Sequence, residues 1–222
     1  CTTIYPTQGH GPALFRSMWV AVGNGTNSIA YSSDGINWTG LGTSIFSDYG
    51  FGVAWNGSMW VAVGGGYNTN TIAYSSDGTN WTGLGNSIFT APYGYGNDVA
   101  WNGSMWVAVG YDTNSIATSS DGINWTGLGT SIFSSLGNGV AWNGSMWVAV
   151  GQGTNTIAYS SDGINWTGLG TSIFSSNGRG VAWNGSMWVA TGDGTNSIAY
   201  SSDGINWTGL GTSIFSNYGY GV

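Results

Sequence analysis

Nine aspartates are the only acidic side chains in this chain of 222 residues. Five of them recur in one heptapeptide: SSDGINW at 32–38, 119–125, 160–166 and 201–207, and SSDGTNW at 75–81. The repeated acids are Asp34, Asp77, Asp121, Asp162 and Asp203. A recurring carboxylate is either a reactive or metal-binding group or part of a structural joint. A calcium loop gathers several oxygen ligands, and each heptapeptide supplies one acid. A carboxylate beside glycine in a short turn instead accepts local backbone N–H bonds. The five acids are therefore assigned to turns.

Little other reactive chemistry is available. There is no Lys or Glu, one His (His10), one Cys (Cys1) and two Arg (Arg16 and Arg179). Without Lys there is neither a Walker loop nor a Schiff base, and no G-x-G-x-x-G run is present. One His and one Cys do not make a zinc site. Two cations are too few for nucleic-acid binding by counterion release. The paired acids that glycosidases need are not visible. No catalytic residue, metal or cofactor is expected.

The chain is nevertheless built to pack. Its residues are 41% hydrophobic and 15% aromatic, against 5% charged, with a net charge of −7. That balance predicts a folded domain rather than a disordered one. The lone Cys1 forbids an internal disulfide and leaves the redox compartment open. No apolar run approaches the roughly 18 residues of a membrane-spanning helix. There is no signal-peptide pattern, and a start at Cys rather than Met reads as processing or truncation. Acylation of Cys1 is one form such processing takes.

The elements that position these residues follow from an internal period. The tripeptide SMW recurs with Met at 18, 59, 105, 146 and 187, in steps of 41, 46, 41 and 41. Within a copy, VAWNGSMW and SSDGINW each place Asn-Gly or Asp-Gly between β-prone runs, a hairpin signal resting on turns with positive φ. Four short strands result, in the second copy a (53–55), b (59–63), c (71–75) and d (81–84). Strand b is apolar on both faces, which fits a sheet covered on both sides.

The predicted fold is all-β: a five-bladed β-propeller with four antiparallel strands per blade. A transmembrane barrel is set aside because its strands run to about 10 residues. The repeat units are about 2–42, 43–85, 86–129, 130–170 and 171–211, with 212–222 beginning a partial sixth. Pro12 and Leu14 stand where other copies have Val and Trp, so the first inner strand is degenerate. Residues 219–222 are expected to meet 11–15 at the ring seam, or else to pair with a neighbouring molecule.

The heptapeptide resembles the Asp-box of sialidase-like (BNR) propellers, Ser-x-Asp-x-Gly-x-Thr-Trp. Ser33, Asp34 and Trp38 keep the residue types, and the loop is one residue shorter. In that family the box is a structural turn on the face opposite the active site. The resemblance does not carry sialidase activity, which uses an arginine triad that two arginines do not form. The five-fold repetition is also similar in architecture to tachylectin-2-type lectins, without their sequence motif.

Function is sought where the copies differ. Differences concentrate in the b–c connections (23–27, 64–70, 110–114, 151–155 and 192–196) and the d–a connections (47–52, 90–98, 134–139, 175–180 and 216–221). In a four-stranded meander both emerge on one face, leaving a constant face opposite. Loops on a rigid scaffold commonly carry recognition. The candidate ligand-binding residues are Asn24, Tyr49, Phe51, Tyr67, Tyr93, Tyr95, Tyr111, Asp112, Asn138, Gln152, Asn177, Arg179, Asp193, Tyr218 and Tyr220. The tryptophans are assigned to packing between blades rather than to sugar stacking. N-glycosylation sequons fall at Asn37, Asn56, Asn80, Asn102, Asn124, Asn143, Asn165, Asn184 and Asn206 on the constant face, with a tenth at Asn24.

The expected function is non-enzymatic: an extracellular or particle-surface propeller binding glycans at several weak sites through avidity. The alternative is a structural subunit of a surface layer, fibre or virion that self-assembles through its terminal segments.

Overall fold

Glycine-bearing turns interrupt this chain too often for long elements, and β-branched and aromatic residues fill the runs between them. The structure, a computed structural model, describes residues 18–90, 92 and 94–222. Every regular element among these residues is a β-strand. The first copy contributes β1 (Trp19–Val22), β2 (Ile29–Ser32) and β3 (Thr39–Gly40). The second has β4 (Tyr49–Trp55), β5 (Trp60–Gly65), β6 (Ile72–Ser75) and β7 (Thr82–Gly83). The third has β8 (Gly96–Trp101), β9 (Trp106–Gly110), β10 (Ile116–Ser119) and β11 (Thr126–Gly127). The fourth has β12 (Leu136–Trp142), β13 (Trp147–Gln152), β14 (Ile157–Ser160) and β15 (Thr167–Gly168). The fifth has β16 (Asn177–Trp183), β17 (Trp188–Asp193), β18 (Ile198–Ser201) and β19 (Thr208–Gly209).

Among the described residues pairing is antiparallel throughout, in sheets of three, four, four and eight strands. The largest sheet joins the fourth and fifth copies through a single pair, Gln152 with Asn177. Comparable isolated bridges tie Asn24 to Tyr49, Gly65 to Tyr95, Tyr111 to Leu136 and Asp193 to Tyr218. The end of strand b in one copy thus meets the start of strand a in the next.

Three expectations need correction. The inner strand begins earlier than the apolar run 53–55: β4 starts at Tyr49 and crosses a bulge at Gly50/Gly52, so much of the d–a connection is strand. The outer strand is only two residues long, because Trp81 belongs to the turn, its indole N–H donating to the Gly78 carbonyl at 3.0 Å. The hairpin turns also differ. Only the glycines take positive φ, as at Gly35 (75°) and Gly57 (101°), while Asn56 and Asp34 act through side-chain oxygens. Among the described residues the non-glycine residues with positive φ are Asn68 and Asp112, both in b–c connections.

The core lies between copies rather than within one. Side chains alternate along strand b, so Val61 and Val63 of β5 face the third copy, meeting Phe89, Val99, Trp106 and Ala108. Ala62 faces the first copy, with Val20, Ile29 and Phe46. The same contact recurs between the third and fourth copies and between the fourth and fifth. This is why strand b is apolar on both faces. Trp106, Trp147 and Trp188 are fully buried at these junctions.

The second junction element was not foreseen. An asparagine preceding strand c clips three pieces together: Asn155 Oδ1 accepts from the Gly170 N–H at 2.8 Å, and its Nδ2 donates to the Ile132 carbonyl at 2.7 Å. Asn114 and Asn196 make the same pair of bonds. At the far end of the chain, the Gly219 N–H donates to the Gly192 carbonyl at 2.9 Å, seating residues 218–219 on the fifth copy. The expected seam partner, 11–15, lies outside the described residues. Among the described residues no helix is long and apolar enough to cross a membrane.

Candidate functional site

The repeated aspartate is a turn acceptor in all five copies. Asp121 Oδ1 accepts from the Ile123 and Asn124 N–H groups at 2.9 and 2.7 Å, and its Oδ2 from Asn124 Nδ2 at 2.7 Å. Ser119 Oγ donates to Asp121 Oδ1 at 3.0 Å and accepts from the Gly122 N–H at 2.8 Å. Trp125 Nε1 closes the turn on the Gly122 carbonyl at 3.0 Å. In the first copy the serine in this role is Ser32, bonded to Asp34 at 2.9 Å, rather than Ser33. The hydrogen bonds from the adjacent asparagine are the largest cause holding all five carboxyls well below the usual carboxylate range. Groups so placed stay ionised at neutral pH and are poor proton donors.

Two kinds of sequon differ in geometry. In the box, the amide nitrogens of Asn37, Asn80, Asn124, Asn165 and Asn206 donate to the neighbouring aspartate. At Asn56, Asn102, Asn143 and Asn184 it is the oxygen that is engaged, accepting from the N–H of the serine two residues on and of the following Met.

The candidate ligand residues fall into distinct neighbourhoods. Tyr49 and Phe51 stack at 5.3 Å, and Tyr95 meets both edge-on at 6.1 and 5.9 Å. Tyr49, Phe51, Tyr67, Tyr111, Tyr218 and Tyr220 are all exposed. Arg179 is the second centre. Its guanidinium carbon lies 4.9 Å from the Tyr218 ring centroid and 5.1 Å from that of Tyr220. Its NH2 pairs with Asp193 Oδ2 at 3.2 Å, and Asn177 Nδ2 donates to the same oxygen at 3.3 Å. Asn138 reaches the next copy instead, donating to the Gly178 carbonyl at 2.8 Å, and Gln152 accepts from Ser135 Oγ at 3.1 Å. Asn24 pairs with Tyr49, and Asp112 is exposed on a left-handed backbone. Tyr93 lies outside the described residues.

One residue escaped the sequence reading. Asp98 stands on the inner strand where other copies have Gly52, Gly139 and Gly180. Its Oδ1 accepts from the Val99 N–H at 2.9 Å and its Oδ2 from the Val140 N–H of the next copy at 3.0 Å. Burial pushes its carboxyl up to about 6, against the lowering effect of those bonds. The clue in the sequence was a break in repetition, an acid in a glycine column.

Grooves of about 180 and 130 Å³ run between consecutive copies beside the outermost strands. The larger is lined by Ile116 and Leu128 of one copy and Ser131, Asn165 and Trp166 of the next. Both are smaller than the roughly 300 Å³ of ordinary ligand clefts. Among the described residues no group of three His, Cys, Asp or Glu side chains is placed to hold a metal.

No family model matches the chain, and no curated protein sequence matches it. Solved structures do. The chain is similar to a chain of a nidogen/laminin complex, with a TM-score of 0.65 and 17% identity over 93% of this chain and 80% of that one. It is similar to the GH74 enzyme of Niastella koreensis, with a TM-score of 0.56 and 18% identity over 92% of this chain and 32% of that one. The computationally designed Ika8 protein gives 0.56 and 12% identity, over 85% and 56%. At such identities the likeness concerns the fold alone. The chain is an all-β, antiparallel, propeller-like repeat protein.

Proposed function

We propose that the chain is a five-bladed propeller, with four strands to a blade, that binds glycans non-enzymatically through the face carrying the b–c connections and the starts of the inner strands. The carrying observation is the distribution of exposed rings. On a chain with 5% charged residues, Tyr49, Phe51, Tyr67, Tyr111, Tyr218 and Tyr220 all present rings to solvent from these segments. Rigid aromatic surfaces among short polar side chains suit adaptable recognition of sugars. The small grooves between copies fit several shallow sites acting together rather than one tight one.

The Asp-box likeness supports the same reading, since the box acids are held ionised within turns and leave catalysis without a donor there. A multivalent glycan binder acts at an extracellular or particle surface, where its ligands are displayed. A glycan array followed by titration is the test. Tyr95→Ala with Tyr111→Ala is expected to weaken binding at least tenfold while the melting temperature stays within a few degrees. No binding by the intact protein to any glycan on the array sinks the proposal.

A specific observation favours the second reading, a structural subunit. Phe46, Phe89, Phe133 and Phe174 are fully buried, whereas their counterpart Phe215 is 44% exposed and its neighbour Ile214 is 67% exposed. An apolar surface of that kind suits packing against another set of strands. Concentration-dependent assembly without glycan binding decides for this reading.

A further inference from the structure

Among the described residues, seven buried side-chain nitrogen or oxygen atoms have no partner within the protein. Three are the indole nitrogens of Trp106, Trp147 and Trp188, which repeat from copy to copy. Three others do not repeat: Arg179 Nε, Thr191 Oγ1 and Asp193 Oδ1 all belong to the fifth copy. Thr191 is also an exception in a column of valines, whereas Asp193 and Arg179 occupy columns that differ from copy to copy. Thr191 stands where Val63, Val109 and Val150 stand, Asp193 where Gly65, Tyr111 and Gln152 stand, and Arg179 where Phe51, Asn97 and Asn138 stand. Three unsatisfied polar atoms are thus gathered in one copy, one on a departure from valine and two on variable positions.

They share one face. Thr191 and Asp193 are two residues apart on β17 and so point the same way. Gly219 packs on Thr191, since a Cβ there would lie 2.9 Å from the Thr191 Cβ, and a Cβ on Gly180 would lie 3.0 Å from Thr191 Oγ1. Arg179 lies against Tyr218 and Tyr220. Residues 218–221 therefore roof the cluster. Asp193 is 6% exposed and Thr191 3%, so unmatched hydrogen-bonding capacity here is unfavourable unless something supplies the missing partners.

The chemistry specifies that partner. Arg179 and Asp193 neutralise each other through one contact, leaving a charge-assisted donor (Nε–H) and an acceptor (Oδ1), with the Thr191 hydroxyl able to serve as either. A charged ligand gains nothing from a neutral pair. Adjacent hydroxyls on a pyranose match the set, because each both donates and accepts, and its C–H face suits the tyrosine rings. Access runs through the roof: Tyr220 is 72% exposed and Tyr218 48%, so both side chains can turn outward without leaving a core.

We propose that Arg179, Thr191 and Asp193, under Tyr218 and Tyr220, form a single subsite for a neutral pyranose, distinct from the other copies. This rests on the reading of the variable face as glycan-binding. The test titrates the full chain with the methyl glycosides of glucose, galactose, mannose and N-acetylglucosamine, by calorimetry and by amide and Arg179 Nε–H chemical shifts. Thr191→Val with Asp193→Gln places the fourth copy's residues at these two positions and keeps an amide oxygen to accept from Arg179, and its melting curve is compared with the parent's to verify folding. One glycoside per chain is expected to bind here, with shifts centred on Arg179 and Tyr218–Val222 and at least tenfold weaker binding in the double variant. Equal binding by parent and variant, or binding with shifts only elsewhere, overturns the subsite and leaves the glycan-binding face standing. Failure of the parent to bind any glycoside or array glycan overturns both.

Discussion

Asp98 and the five box aspartates titrate in opposite directions, and their pH effects separate. The folded state raises the Asp98 carboxyl from an ordinary 3.8 to about 6. Its folded form holds a proton more tightly than the unfolded chain, so its contribution to stability is greatest below about 4 and is lost as pH rises through 6. The box carboxyls are depressed, so their contribution is present above about 4 and fades as pH falls further. Melting measured from pH 3 to 8 is therefore expected to peak between about 4 and 6. Asp98→Asn should flatten the decline from pH 5 to 7.5 while leaving the acid limb unchanged. The box role of Asp121 was legible in the sequence, since one acid beside glycine has few other uses. Asp98 was not, because the penalty on its charge comes from burial, which no local pattern records.

At the scale of elements, what holds each sheet is its contact with the next one. Trp147 is fully buried among Val107, Val109 and Phe133. Trp147→Ala is expected to cost about 3–5 kcal/mol in chemical denaturation, as large aromatic deletions in cores do. The Asn155 clip ties Gly170 to the Ile132 carbonyl, and its loss strands both groups. Asn155→Ala should cost about 1–3 kcal/mol for that reason. The strands b and c were readable from their alternation and the Asn-Gly and Asp-Gly punctuation. The extension of strand a to Tyr49 was not, because its outer residues pair across copies, and no local pattern records the partner.

For the whole molecule, a stack of copies coupled only to their neighbours predicts graded local stability. Strands β9 and β13 are buried on both sides, whereas β1 is only partly buried. Amide exchange is expected to be slowest in Val107–Val109 and Val148–Val150 and faster in Val20–Val22. Uniform protection across the copies contradicts this stacking.

The sequence by itself determined the all-β repeat, its period, the turn role of the box aspartates and the scarcity of reactive groups. These are local properties, fixed by residue type, spacing and glycine placement. The tertiary structure decided which exceptions matter. Arg179, Thr191 and Asp193 are spread over fifteen residues and carry no motif. They become a cluster only when a bulged inner strand, its neighbour and residues 218–221 are brought onto one face. Asp98 likewise meets the Val140 N–H only when the following copy is stacked on it, and burial rather than that bond raises its carboxyl. Proximity across copies depends on how sheets stack, and the period in the sequence sets the number of copies but not which side chains meet between them.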